Sequence, residues 1–183
     1  MNAVLSPPPE ASPDAPPRLR AMRVGDVSAV LAVEVRAYSY PWSRGNFIDS
    51  LAAGYLADVL VNEEGAVLGY FLALPGAGEL HLLNVTVAPE HQCCGLGRRL
   101  MQALHGHGQR LGLHTVFLEV RASNLRARAL YARLGYAEVG LRRAYYPATP
   151  RREDAIIMRR CPPLADADRL DMDRPEVNRP DVD

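Results

Sequence analysis

The chain predicts an α/β fold in which a mixed, mostly antiparallel seven-stranded sheet is flanked by about four helices. Three observations carry this. Three or four antiparallel strands come first in the folded body. Further on, strands and helices alternate as β-α-β-α-β-β. A glycine-bearing loop, Gln92-Cys93-Cys94-Gly95-Leu96-Gly97, joins a β-branched strand to an amphipathic helix.

In order, Arg18–Met22 is a first strand, and Asp26 caps a helix that runs to about Tyr38. Pro41-Trp42-Ser43 breaks the chain, and Ser43 can cap a short helix carrying Phe47, Ile48 and Leu51. Tyr55–Val61 and Ala66–Leu74 flank Asn62-Glu63-Glu64-Gly65, a hairpin signal. Gly78–Val87 supplies the next strand and Gly95–Leu111 the central helix, with Gly112 at its C-terminal end. In Thr115–Arg121, Val116, Leu118 and Val120 share one face while Phe117, Glu119 and Arg121 share the other. Asn124–Leu134 is a helix ended by Gly135. Two last strands, Ala137–Arg143 and Glu153–Arg159, are joined by a Tyr145-Tyr146-Pro147 loop.

A length of 183 residues suits one domain with a sizeable core, and 48% hydrophobic with 23% charged residues is ordinary for a soluble globular protein. No apolar run reaches 18 residues and no signal-like segment opens the chain, so a cytoplasmic location without membrane contact is the expectation. Residues 1–17, rich in Pro and Ala, read as a disordered leader. Residues 161–183, with seven acids against three arginines, read as a disordered acidic tail. The body from 18 to 160 then holds 18 arginines and 12 acids, which suits an anionic ligand or simply gives a solvated basic surface. Three cysteines form neither a disulfide framework nor a zinc pattern. His105 and His107, two apart on a helix, make a poor metal pair, and no metal is expected. No direct nucleic-acid binding is expected either.

The loop at 92–97 carries the first chemical signal. Glycines opening a helix leave unpaired N–H groups that, with the helix dipole, suit a phosphate or pyrophosphate. A dinucleotide fingerprint needs a third glycine where Leu100 stands. A nucleotide-hydrolase loop needs a lysine, and the chain has none. Glu119 interrupts an apolar strand, which suits either a general base or an ion pair with Arg121. Tyr131, seven residues after Asn124, shares a side of its helix and is either a proton donor or a packing ring.

The segment Q-x-x-G-x-G after a strand ending V-x-V-x-P resembles the acetyl-CoA loop of the GNAT superfamily of N-acetyltransferases. More specifically, Leu118-Glu119-Val120-Arg121-Ala122-Ser123-Asn124, Ala129-Leu130-Tyr131, Leu134-Gly135-Tyr136, Arg142-Arg143-Ala144-Tyr145-Tyr146-Pro147 and Arg152–Met158 are similar to bacterial ribosomal-protein-alanine N-acetyltransferases, the RimI family. Pro41-Trp42-Ser43 and Phe47 extend the likeness over most of residues 18–160.

The resemblance implies the acyl-CoA N-acyltransferase fold and acetyl-CoA as acetyl donor. The donor would be held by Val85, Thr86, Val87, Cys93, Cys94, Gly95, Leu96, Gly97, Arg98 and Asn124. It implies Glu119 as general base and Tyr131 as general acid, with Trp42, Tyr145 and Tyr146 lining the acceptor groove. The implied acceptor is the N-terminal alanine of the eighteenth small-subunit ribosomal protein. An α-amine is a reasonable nucleophile, since exposing its neutral form at pH 7 costs about 3.5 kcal/mol less than for lysine. Another amine, on a small molecule or a lysine, and a non-enzymatic CoA-responsive module are the alternatives. Cys93-Cys94 departs from the basic or amide residues usual in the loop, which implies weaker CoA binding and an oxidation-sensitive site.

Overall fold

A computed structural model describes residues 16–161. The expected disordered leader and tail lie outside the described residues, save for residues 16, 17 and 161. The elements follow the expected order: β1 (Arg18–Ala21), α1 (Val27–Ala37), α2 (Arg44–Ala52), β2 (Leu56–Val61), β3 (Val67–Pro75), β4 (Glu79–Val87), α3 (Leu96–Arg110), β5 (Thr115–Arg121), α4 (Leu125–Arg133), β6 (Ala137–Tyr146) and β7 (Glu153–Arg160). They build one seven-stranded sheet in the order β1-β2-β3-β4-β5-β7-β6. Only β4 and β5 run parallel.

Two cores lie on opposite faces of the sheet. Leu60, Phe71, Ala73, Leu80 and Leu82 pack with Leu100, Met101 and Leu104 of α3. Val59, Val61, Tyr70 and Leu72 pack with Val27, Val30, Val33 and Phe47 of α1 and α2. Successive residues of β2 and β3 thus enter opposite cores, so these strands read as unbroken apolar runs.

Local signals account for the helix ends. The Ser43 hydroxyl accepts from the Asn46 N–H, and the Asn124 carboxamide oxygen accepts from the Ala127 N–H. Gly135, with φ of 85°, takes the left-handed turn after α4. Asp26 differs from expectation. Its carboxylate accepts from Arg20 at 2.7 Å and from the Arg23 N–H at 2.8 Å, and makes no side-chain cap on α1. The bidentate arginine and an intervening 3-10 turn compete successfully for that carboxylate. Tyr145 and Tyr146 also differ: they end β6 rather than forming a loop.

The feature that shapes the site is a bulge in β4. Leu72 pairs with Asn84 but Ala73 pairs with Leu82, so Leu83 is the extra residue. An inserted residue reverses side-chain parity. Before it, Leu80 and Leu82 face the α3 core; after it Val85 and Val87 do so, and Asn84 and Thr86 turn toward α1. The parallel pairing with β5 stops at Leu82–Leu118. Beyond that point the two strands part and the β4 edge from 83 to 87 is open.

Candidate functional site

Two clefts meet where β4 and β5 part. The larger, of about 670 Å³, is lined by Val85, Thr86 and Val87 of β4, by Cys93, Gly95, Gly97 and Arg98 at the start of α3, and by α4 residues from Asn124 to Arg133. The smaller, of about 310 Å³, is lined by Trp42, Leu83, Asn84, Glu119, Arg121 and Tyr146, among others. Tyr38, Val85, Asn124, Ala127 and Tyr131 line both.

The first cleft is built for an extended anion. Gly95, at φ of 80°, turns the chain into α3, and Cys93 also takes a positive φ of 65°. The first N–H groups of α3 are left free at the cleft, with the positive end of a 15-residue helix behind them. A Cβ on Gly97 would stand 3.3 Å from Leu130, so glycine lets α3 and α4 close against each other here. Arg98, Arg126 and Arg133 bring positive charge to the same cleft. Arg126 donates to Gln92 Oε1 at 3.2 Å, and Gln92 Nε2 donates to the Val87 carbonyl at 3.2 Å, tying loop, strand and α4 together. Leu96 packs its side chain against the core, and the exposed Cys94 has its Sγ 3.4 Å from the Gln92 carbonyl; neither lines this cleft. Open strand edge, free N–H cluster and arginines together fit the pantetheine arm and pyrophosphate of a coenzyme A donor.

In the second cleft Glu119 is half-buried, its side chain 26% exposed, rather than sealed in an apolar strand. It pairs with Arg142 Nε at 3.0 Å. The alternative partner, Arg121, is occupied elsewhere. It donates to Glu153 at 3.0 Å and to the Pro147 carbonyl at 3.1 Å, with its guanidinium 4.5 Å from the centre of the Tyr146 ring. The Glu119 carboxylate beside Tyr145 pushes its phenol up, and the Tyr145 ring stands 5.4 Å from the Arg142 guanidinium. Tyr146 and Trp42 line the cleft, whereas Tyr145 stands beside it, against Glu119. Tyr131 is 6% exposed at the junction, and burial, then the neighbouring tyrosines, raise its phenol above the ordinary value.

Sequence reasoning missed several lining residues: Glu34, Tyr38, Tyr40 and Leu83 at the second cleft, and Arg126 and Arg133 at the first. A carboxylate on the apolar face of an amphipathic helix was a readable signal for Glu34. Leu83 had none, because a bulge is set by pairing.

The acetyltransferase (GNAT) family profile matches residues 27–136. The chain belongs to the GNAT acetyltransferase family. It is 38% identical over 140 residues to the [ribosomal protein bS18]-alanine N-acetyltransferase of Escherichia coli K12, covering 76% of this chain and 94% of that protein. A putative enzyme of the same name from Bacillus subtilis is 30% identical over 141 residues, covering 76% and 92%. The crystal structure of the ribosomal-protein-S18-alanine N-acetyltransferase from Escherichia coli superposes with a TM-score of 0.75 at 37% identity, covering 79% of this chain and 93% of that one. The protein is an N-acetyltransferase, and its donor is acetyl-CoA, the acetyl donor of this family.

Proposed function

We propose that this enzyme acetylates the N-terminal α-amine of a protein, namely the N-terminal alanine of ribosomal protein bS18, in the cytoplasm. The observation that carries the reading is the meeting of the two clefts at Tyr131, with Glu119 on the acceptor side. The relatives named for bS18-alanine acetylation match along most of their length, which supports the acceptor.

In this mechanism the free N–H groups of α3 and the arginines hold the pyrophosphate, and the open β4 edge aligns the pantetheine arm. The Val87 N–H polarises the thioester carbonyl. Glu119 receives the proton of the attacking ammonium, directly or through one water, after release from Arg142. The amine nitrogen bonds to the carbonyl carbon, the C–S bond breaks, the Tyr131 hydroxyl protonates the departing thiolate, and the second amine proton passes to the Tyr131 phenolate, leaving a neutral amide. Trp42 and Tyr146 flank the first residues of the acceptor, with Tyr145 beside Glu119.

The test is CoA release with two matched peptides. One carries the free alanine terminus of bS18; the other has that terminus blocked and one internal lysine. Turnover on the free terminus alone is expected. Turnover on the lysine alone overturns the acceptor, and Glu119→Gln with a wild-type kcat removes Glu119 as base.

A further inference from the structure

The acceptor cleft holds a second carboxylate that this mechanism does not use. Glu34 lies on α1 and is 1% exposed, yet it belongs to the wall of the cleft. Donors converge on it. The Trp42 N–H reaches Oε1 at 2.8 Å, the Tyr70 hydroxyl donates to Oε2, and Asn84 Nδ2 lies 3.4 Å from both oxygens. Donors thus face both oxygens, which suits a carboxylate that accepts at each. Its negative charge contributes to raising the Tyr38 and Tyr70 phenols, after the larger effect of burial.

The charges around the cleft do not balance. Its charged lining residues are Glu34, Glu119 and Arg121. Glu119 is neutralised by Arg142 and Arg121 by Glu153. Glu34 pairs with no cation among the described residues. The tyrosines that also line it, Tyr38, Tyr40, Tyr131 and Tyr146, supply no positive charge. One negative charge is therefore left over at the base of the acceptor cleft, in a poorly solvated place where it acts more strongly than at the surface.

We infer that Glu34 is an electrostatic anchor for the protonated α-amine of the incoming N-terminus, drawing in the ammonium form before Glu119 removes its proton. The inference rests on the reading of this cleft as the acceptor site. It divides the work between two carboxylates. The caged, fully hydrogen-bonded Glu34 recruits charge, and the more exposed Glu119, once released from Arg142, takes the proton. A neutral terminus, such as the acetylated product, loses this attraction.

The test is a binding cycle at pH 6.5, where the α-amine is protonated. A six-residue peptide beginning with alanine is compared with its desamino analogue, which begins with a propionyl group. Both are titrated by calorimetry into CoA-saturated wild-type enzyme and into Glu34→Gln. Glutamine keeps an oxygen for the Trp42 N–H while its amide donates to Tyr70. Wild type is expected to bind the amine peptide at least about tenfold more tightly than the analogue. In Glu34→Gln the ratio should fall to within about twofold of one, with the analogue's own affinity and that of acetyl-CoA unchanged.

An unchanged ratio overturns the anchor, and so does equal weakening of both peptides, which assigns Glu34 a structural role. Should Glu34→Gln not fold, Tyr70→Phe removes a donor and keeps the charge. A preserved ratio there is expected, and its collapse overturns the proposal. If wild type turns over the alanine peptide, any failure belongs to Glu34 alone. If it neither binds nor acetylates that peptide, the acceptor reading falls and the anchor with it.

Discussion

Replacing Tyr131 with phenylalanine removes one oxygen from a ring that otherwise stays packed. The ring is 6% exposed and sits 5.8 Å from Tyr136, contacts that phenylalanine keeps. Burial and the neighbouring tyrosines, not a hydrogen bond, displace its phenol, so little stability rests on the hydroxyl; a change within about 1 kcal/mol is expected. The catalytic loss is larger. A hydrogen bond to a charged thiolate is worth about 1.5–3 kcal/mol, or about ten- to 150-fold, and full general-acid catalysis about 10²–10⁴. The raised phenol makes complete proton transfer to a thiolate uphill, which selects the region where these ranges overlap, about 100-fold in kcat. Steady-state CoA release across acetyl-CoA and peptide concentrations, with a thermal melt of each protein, measures it. A kcat within threefold of wild type at unchanged melting temperature would refute the acid role. So would a loss appearing only in the KM for acetyl-CoA.

A matched pair on α3 tests packing. Gly108→Ala places a Cβ 2.5 Å from the Leu113 carbonyl oxygen and 3.0 Å from Leu80, and should cost about 1–3 kcal/mol by urea denaturation. Gly106→Ala meets only the Arg110 guanidinium at 3.5 Å and should instead stabilise, by up to about 1 kcal/mol. His105, within 2.8 Å of the Tyr136 hydroxyl, has its folded-state value pushed down to about 4 by burial and then by Arg160. The unfolded chain therefore binds more protons between about pH 6.5 and 4. Stability should fall as pH drops through that window, and His105→Gln should flatten that part of the urea-midpoint profile. Cys93 lines the donor cleft and Cys94 is also exposed. In a Cys161→Ser background, maleimide alkylation of the pair should weaken acetyl-CoA binding at least about tenfold, and bound CoA should slow the labelling. Unchanged affinity after stoichiometric alkylation removes the loop thiols from the donor site.

Local chemistry made much of this protein legible from its residues. Sequence pattern marked the seven strands and four helices, Ser43 declared its cap, and the alternation in β5 put Glu119 opposite Val116, Leu118 and Val120. Gly95 and Gly97 marked the anion-binding turn, because a left-handed N-cap and a close helix approach are demands on a residue's own backbone and volume. What tertiary structure decided were the pairings between distant residues. The Leu83 bulge exists only in register with β3, yet it reverses parity and turns Asn84 and Thr86 toward α1. Arg142 reaches Glu119 from β6, while Arg121, two residues away on the same strand, is taken by Glu153. Arg126 and Arg133 supply from α4 the charge that Cys93-Cys94 do not. Glu34 joins Trp42, Tyr70 and Asn84 from four separate segments. Caps and periodicities are set within a few residues of chain, whereas a carboxylate's partner is chosen by whichever donors the closed fold brings within hydrogen-bonding distance.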